Sequence, residues 1–186
     1  MAFRVTARQA ALKERGITMP TQIHGLPAHV LLIHLVVVLV PVAALVLIAQ
    51  AWSPVVRRWA GIGGPLLCLG ALVMVPVTTH AGYWLRDHLP TQLGHSAAVT
   101  RHAHLGAELL PWVAAMFVLS LVVFWLGRTA PEARRPVVLP PTAGIAAVQM
   151  LVAVLATAAA VGSVVQTYRI GDSGAQAVWK GSVVTK

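Results

Sequence analysis

Acidic side chains are scarce in this sequence: Asp and Glu together number 5 against 14 Lys and Arg, in a chain of 186 residues. Charge of either sign is thin, at 10% of residues against 58% hydrophobic, and mean hydropathy is +0.77. So little polar surface excludes an ordinary water-soluble globular domain. The formal charge of +9 would raise a nucleic-acid partner in a soluble protein. Here the cations fall between and beyond apolar runs, where they anchor loops at lipid headgroups, so the expected partner is the bilayer and no nucleic acid. Cysteine occurs once, as Cys68 inside an apolar run, which excludes an intrachain disulfide and a thiolate zinc cluster. Cys-x-x-Cys-His is missing, and covalent c-type haem with it. His-Glu-x-x-His, Gly-x-Ser-x-Gly and Walker A motifs are missing too, and no side chain reads as a nucleophile, so no catalytic residue is assigned.

What the chain does have is length of apolar sequence. A spanning helix needs about 20 such residues, and four segments supply them, at about 30–51, 61–85, 105–126 and 142–165. The predicted fold class is all-α: a polytopic membrane protein with a four-transmembrane-helix bundle in residues 21–167. A basic segment, 1–20, precedes it, and an extramembrane tail, 168–186, follows. The basic segment reads equally as an amphipathic surface helix, a tail, or sequence upstream of a start at Met19. The fourth segment is rich in Ala and Gly, which suits close packing inside a bundle. Trp52, Trp59, Trp84, Trp112 and Trp125 fall near segment ends, where indole prefers the headgroup zone. No internal repeat is evident, and the third connection, TAPEARRPVVLPPT, is proline-rich. The paired arginines in the tight first and third connections, Arg57 with Arg58 and Arg134 with Arg135, favour termini outside the cytoplasm.

With four spans, all 8 histidines belong to one membrane face. His24, His29 and His34 surround the start of the first span, and His80 lies near the end of the second. His88 and His95 are in the second connection, and His102 and His104 open the third span. At about 1.5 Å per residue, His34 and His80 lie a turn or so deep, with His104 at the mouth, so these three are expected to converge. His29 stands about 140° away from His34 on an ideal helix and replaces it if the register differs. Glu108 follows His104 at i, i+4, as a metal ligand, an acceptor fixing an imidazole tautomer, a proton-relay group, or a partner of Arg101 or His104. Thr78 and Thr79 are expected to bond carbonyls freed by Pro76. The tail TYRIGDSGAQAVW returns Asp172 and Ser173 to the same mouth, as a lid.

Several imidazoles at one depth suit three chemistries. A haem b takes one or two axial histidines between apolar walls. A non-haem transition metal takes three or four N and O ligands, here His34, His80, His104 and Glu108. A proton path needs only groups that titrate near neutrality. The leading expectation is an electron-transfer protein rather than a catalyst, with a haem b or metal centre near the outer face and a redox partner protein or respiratory complex. The rivals are a cofactor-free accessory or assembly subunit of a larger membrane complex, and a metal carrier using His24, His88, His95 and His102. Oligomeric state is open.

The stretches IHGLPAHVLLIHLVVVLVP, VPVTTHAGYWL, HAHLGAELLPW and GDSGAQAVW resemble a bacterial family of four-helix membrane proteins, domain of unknown function 2231, over residues 21–179. The resemblance implies a bacterial plasma-membrane location, and its recurring histidine motifs imply His29, His34, His80 and His104 as cofactor-binding positions. Fusions of family members to Rieske or cytochrome modules imply electron transfer and a C-terminus outside the cytoplasm. This sequence departs from the family pattern at Asp172, where a histidine is expected, and carries no redox module of its own.

Overall fold

An aliphatic run in a bilayer has no outside partner for its backbone N–H and C=O groups, so it coils and satisfies them internally. In the computed structural model, which describes residues 22–23, 26–90, 94–129 and 143–179, the first run is helix α1, Ala28–Trp52. A short antiparallel pair precedes it, β1 (Gln22–Ile23) on β2 (Leu26–Pro27), with Gln22 opposite Pro27. Helix α2, Pro54–Ala60, fills the first connection. The Ser53 hydroxyl accepts from the Val56 N–H at 3.3 Å, Pro54 opens the first turn, and Gly61 at φ +48° ends the helix. Helices α3 (Gly63–His88), α4 (Ala97–Thr129) and α5 (Ala143–Trp179) complete the chain. Of these, α1, α3, α4 and α5 are long and apolar enough to cross a membrane. The chain is thus an all-α integral membrane protein with a four-helix bundle.

Two boundaries depart from the hydropathy reading, because helices continue past the hydrocarbon edge wherever backbone bonding allows. Helix α4 begins at Ala97 rather than near 105, so His102 and His104 lie in its second turn. Helix α5 runs to Trp179, so residues 168–179 continue the fourth helix instead of forming a separate lid. The basic segment 1–20, His24, the proline-rich stretch 130–142 and residues 180–186 lie outside the described residues.

Around the bundle α1 packs on α3 and α5, and α4 packs on the same two, leaving α1 and α4 across the diagonal. One buried cluster fills the end near the first connection: Ala43, Ala44 and Leu47 with Cys68, Met116 and the α5 alanines Ala153, Ala156 and Ala160. Those small side chains let the helices approach closely, as the composition of the fourth segment predicts. A second cluster, Val36, Val40, Ala71, Val75, Leu109 and Val113, continues the core toward the histidine-rich face. At the opposite end Arg57 closes α1: its Nε donates to the Gln50 carbonyl and its Nη2 to the Ala51 carbonyl, each at 2.9 Å.

Candidate cofactor site

Helical spacing decides which histidines face inward. Along α1 the buried positions Val36, Val40, Ala43 and Leu47 form one stripe, and His29 lies seven residues, about two turns, before Val36 on the same face. Along α4 the stripe is Leu105, Leu109, Val113 and Met116, with His102 three residues ahead of it. On α3 the stripe Cys68, Ala71, Val75, Thr78 leads to Gly82, and on α5 the stripe Ala156, Ala160, Ser163, Thr167 leads to Gly174. Each glycine receives an imidazole. A Cβ on Gly82 would stand 2.9 Å from His29 Cε1, and one on Gly174 would stand 3.1 Å from His102 Cε1.

The hydrogen bonds repeat with the packing. His29 Nδ1–H donates to the Thr78 carbonyl at 3.0 Å, four residues before Gly82. His102 Nδ1–H donates to the Ile170 carbonyl at 3.1 Å, four residues before Gly174, and shares that proton with Ser173 Oγ at 3.0 Å. The Ser173 hydroxyl itself donates to the Ile170 carbonyl at 2.8 Å. A carbonyl can only accept, so each ring carries a proton on Nδ1, and in a neutral imidazole Nε2 is then the nitrogen with the lone pair for another partner. The same clasp, an imidazole on a glycine with its Nδ1 tied one turn away, thus occurs twice, a local recurrence that the bare sequence does not display.

The two rings come from diagonal helices and meet at the bundle axis. Their centres are 6.3 Å apart and their planes nearly perpendicular, at 85°. Around them is a cavity of about 370 Å³ with walls from all four spanning helices. Its floor is Val36, Val75 and Leu109, and Gly106 and Gly171 keep its sides open. Thr78 Oγ1 is buried on the wall without a hydrogen-bond partner among the described residues, whereas Thr79 Oγ1 donates to the Val75 carbonyl at 2.9 Å.

Of the residues singled out in the sequence, His29 belongs to this site. His34, His80 and His104 do not: all three are exposed on the outer surface of the bundle. The expected convergence of the three is corrected by helix phase, since His104 lies about 200° around α4 from His102 and His34 about 140° from His29. His34 Nδ1 is bonded within its own helix, to the Val30 carbonyl at 2.7 Å. Among the described residues no three His, Cys, Asp or Glu side chains come together as a metal-binding group, so the set His34, His80, His104 and Glu108 is not assembled. Glu108 instead accepts from Gln166 Nε2 at 3.2 Å; that amide also donates to the Leu105 carbonyl at 2.9 Å, and its Oε1 accepts from Arg169 Nη1 at 3.2 Å. Asp172 is exposed and accepts from Gln176 at 2.8 Å, while Ser173 reaches His102. The sequence places His102 only in the rival metal-carrier set and not among the cofactor-binding histidines, although its place on the Leu105 to Met116 stripe marks it once the start of α4 is known.

Fold and site together define a class: an integral membrane four-helix bundle with an inward histidine pair at one end of an apolar cavity. Comparison of the chain with protein-family models, with curated proteins and with solved structures finds no match.

Proposed function

We propose that this protein is a membrane-embedded electron carrier holding a haem b between His29 and His102. The observation that carries the reading is the diagonal imidazole pair, 6.3 Å between centres, with both Nδ1 atoms committed to helix carbonyls. His29 and His102, reaching the cavity from diagonal helices, would be the residues that hold the haem iron. A bare transition metal wants three or four protein ligands, and among the described residues this site offers two imidazoles. A porphyrin brings four nitrogens of its own and asks the protein for one or two axial histidines and apolar walls, which favours haem over an uncomplexed ion.

Haem iron, when bound, supplies one-electron chemistry. The chain's part is to grip and to insulate. Thr78 and Ile170 carbonyls fix both imidazoles in one tautomer and one rotation, and hydrogen bonding to Nδ1–H raises the basicity of Nε2. The floor of Val36, Val75 and Leu109 excludes water from below. On this reading the histidine-rich face is extracytoplasmic in a bacterial plasma membrane and meets a redox partner protein or respiratory complex there. The resemblance to the domain of unknown function 2231 family is part of the same proposal.

Oxidised and dithionite-reduced visible spectra of the detergent-purified protein, from cells with adequate haem supply, test it. A Soret band with a sharp α band on reduction is expected for wild type and for His34→Ala, His80→Ala and His104→Ala, and its loss for His29→Ala and His102→Ala. A featureless spectrum from well-folded wild type rejects the haem reading in favour of the cofactor-free accessory subunit.

A further inference from the structure

Of the described residues lining the cavity, Arg86 is the one with a permanent charge. It lies in the last turn of α3, four residues beyond Gly82, and therefore on the same face one turn nearer the headgroups. Its side chain lines the cavity and is 32% exposed, which puts the residue at the mouth between the apolar interior and water. Tyr83 supports it, with the guanidinium carbon 5.3 Å from the ring centre. Its Nε and Nη2 reach the same Asp87 oxygen, both at 3.4 Å, long for charge-assisted bonds between neighbours in sequence. A guanidinium has five N–H donors in a fork that matches a carboxylate. Little of that capacity is used well by Asp87, which is 57% exposed and largely solvated.

Charge at the mouth and none at the floor gives the cavity a direction. An occupant with acidic groups on one edge cannot point them toward Val36, Val75 and Leu109, where nothing would solvate them. Pointed toward Arg86, they gain a bidentate partner and stay within reach of water. We propose that Arg86 binds a carboxylate on the edge of the cavity's occupant, so that the site selects a porphyrin with free acid groups and fixes its orientation. This rests on the haem reading above.

The test is a titration of the full-length apoprotein, purified in detergent from haem-starved cells, with haemin and with haemin dimethyl ester, followed by the Soret shift. Wild type is expected to bind haemin about tenfold more tightly than the ester, the lower end for a charged hydrogen bond at a partly exposed site. Arg86→Gln is expected to bind both with the affinity wild type has for the ester, and Arg86→Lys to keep part of the preference. Equal binding of both by wild type, a comparison that needs no variant, overturns the role of Arg86. So does an undiminished preference in a monodisperse Arg86→Gln. Failure of wild type to shift the Soret band of either porphyrin instead overturns the haem site itself, and is thereby distinct.

Discussion

An alanine at position 82 puts a methyl carbon 2.9 Å from Cε1 and 3.0 Å from Nδ1 of His29. Carbon atoms rest at about 3.5–4.0 Å, so the ring must retreat by roughly half an ångström. Its Nδ1–H bond to the Thr78 carbonyl, now 3.0 Å, then stretches toward the limit of a hydrogen bond. Overpacking of this kind costs about 1–3 kcal/mol, and alanine returns about 0.5–1 kcal/mol over glycine inside a helix. The net loss is up to about 2.5 kcal/mol, worth roughly 5–10 °C in Tm for a chain of this size. At Gly174 the corresponding contact is 3.1 Å, which neighbours can relieve by a smaller shift. At Gly144 the added methyl meets nothing within 4 Å. Thermal unfolding in detergent, paired with haem content by pyridine haemochromogen, should therefore rank Gly144→Ala at or above wild type, Gly174→Ala below it and Gly82→Ala lowest on both scales. A Gly82→Ala protein that melts with Gly144→Ala and retains full haem would refute the steric reasoning.

Other substitutions probe the frame around the site. Arg57→Ala leaves the Gln50 and Ala51 carbonyls without their guanidinium donors and is expected to cost about 1–3 kcal/mol in thermal unfolding, with Arg57→Lys recovering only part because an ammonium cannot fork. Gln166→Leu strips a donor from both the Leu105 carbonyl and Glu108, so a loss of about 1–3 kcal/mol should appear in the same assay; Glu108→Gln, which spares the Leu105 bond, should lose no more than about 1 kcal/mol. Ser173→Ala removes one of two acceptors on His102 Nδ1 while the Ile170 carbonyl remains, so haem affinity is expected to fall less than about tenfold, against complete loss for His102→Ala.

The membrane frame was legible in the sequence because hydrocarbon thickness sets a length that apolar runs must meet, and α1, α3, α4 and α5 cover the four runs. The small-residue character of α5 likewise announced its close packing through Ala153, Ala156 and Ala160. Helix phase was not legible. Apolar residues surround these spans, since lipid accepts on the outside what the core accepts on the inside, and so hydrophobic periodicity does not separate Val36, buried, from Val38, exposed. Without phase, depth alone grouped His34, His80 and His104, three residues that all turn outward. The start of α4 at Ala97 was hidden for a related reason: its first turns, AAVTRHAH, are too polar to register as span yet are helical enough to aim His102 at the axis. Gly82 and Gly174 carry no mark of their own in the sequence, and their use shows only in the imidazole that packs on each.

The doubled clasp also bears on how the protein is put together. One imidazole belongs to the hairpin of α1 with α3 and the other to the hairpin of α4 with α5, and in each the ring is already bonded to its own partner helix. Each hairpin can thus orient its histidine as it forms, before the two halves meet. On the haem reading neither half holds the cofactor by itself, and the pair of ligands exists only after docking. Haem capture would then follow assembly and lock it, so that the α band reports correctly joined halves as well as redox state.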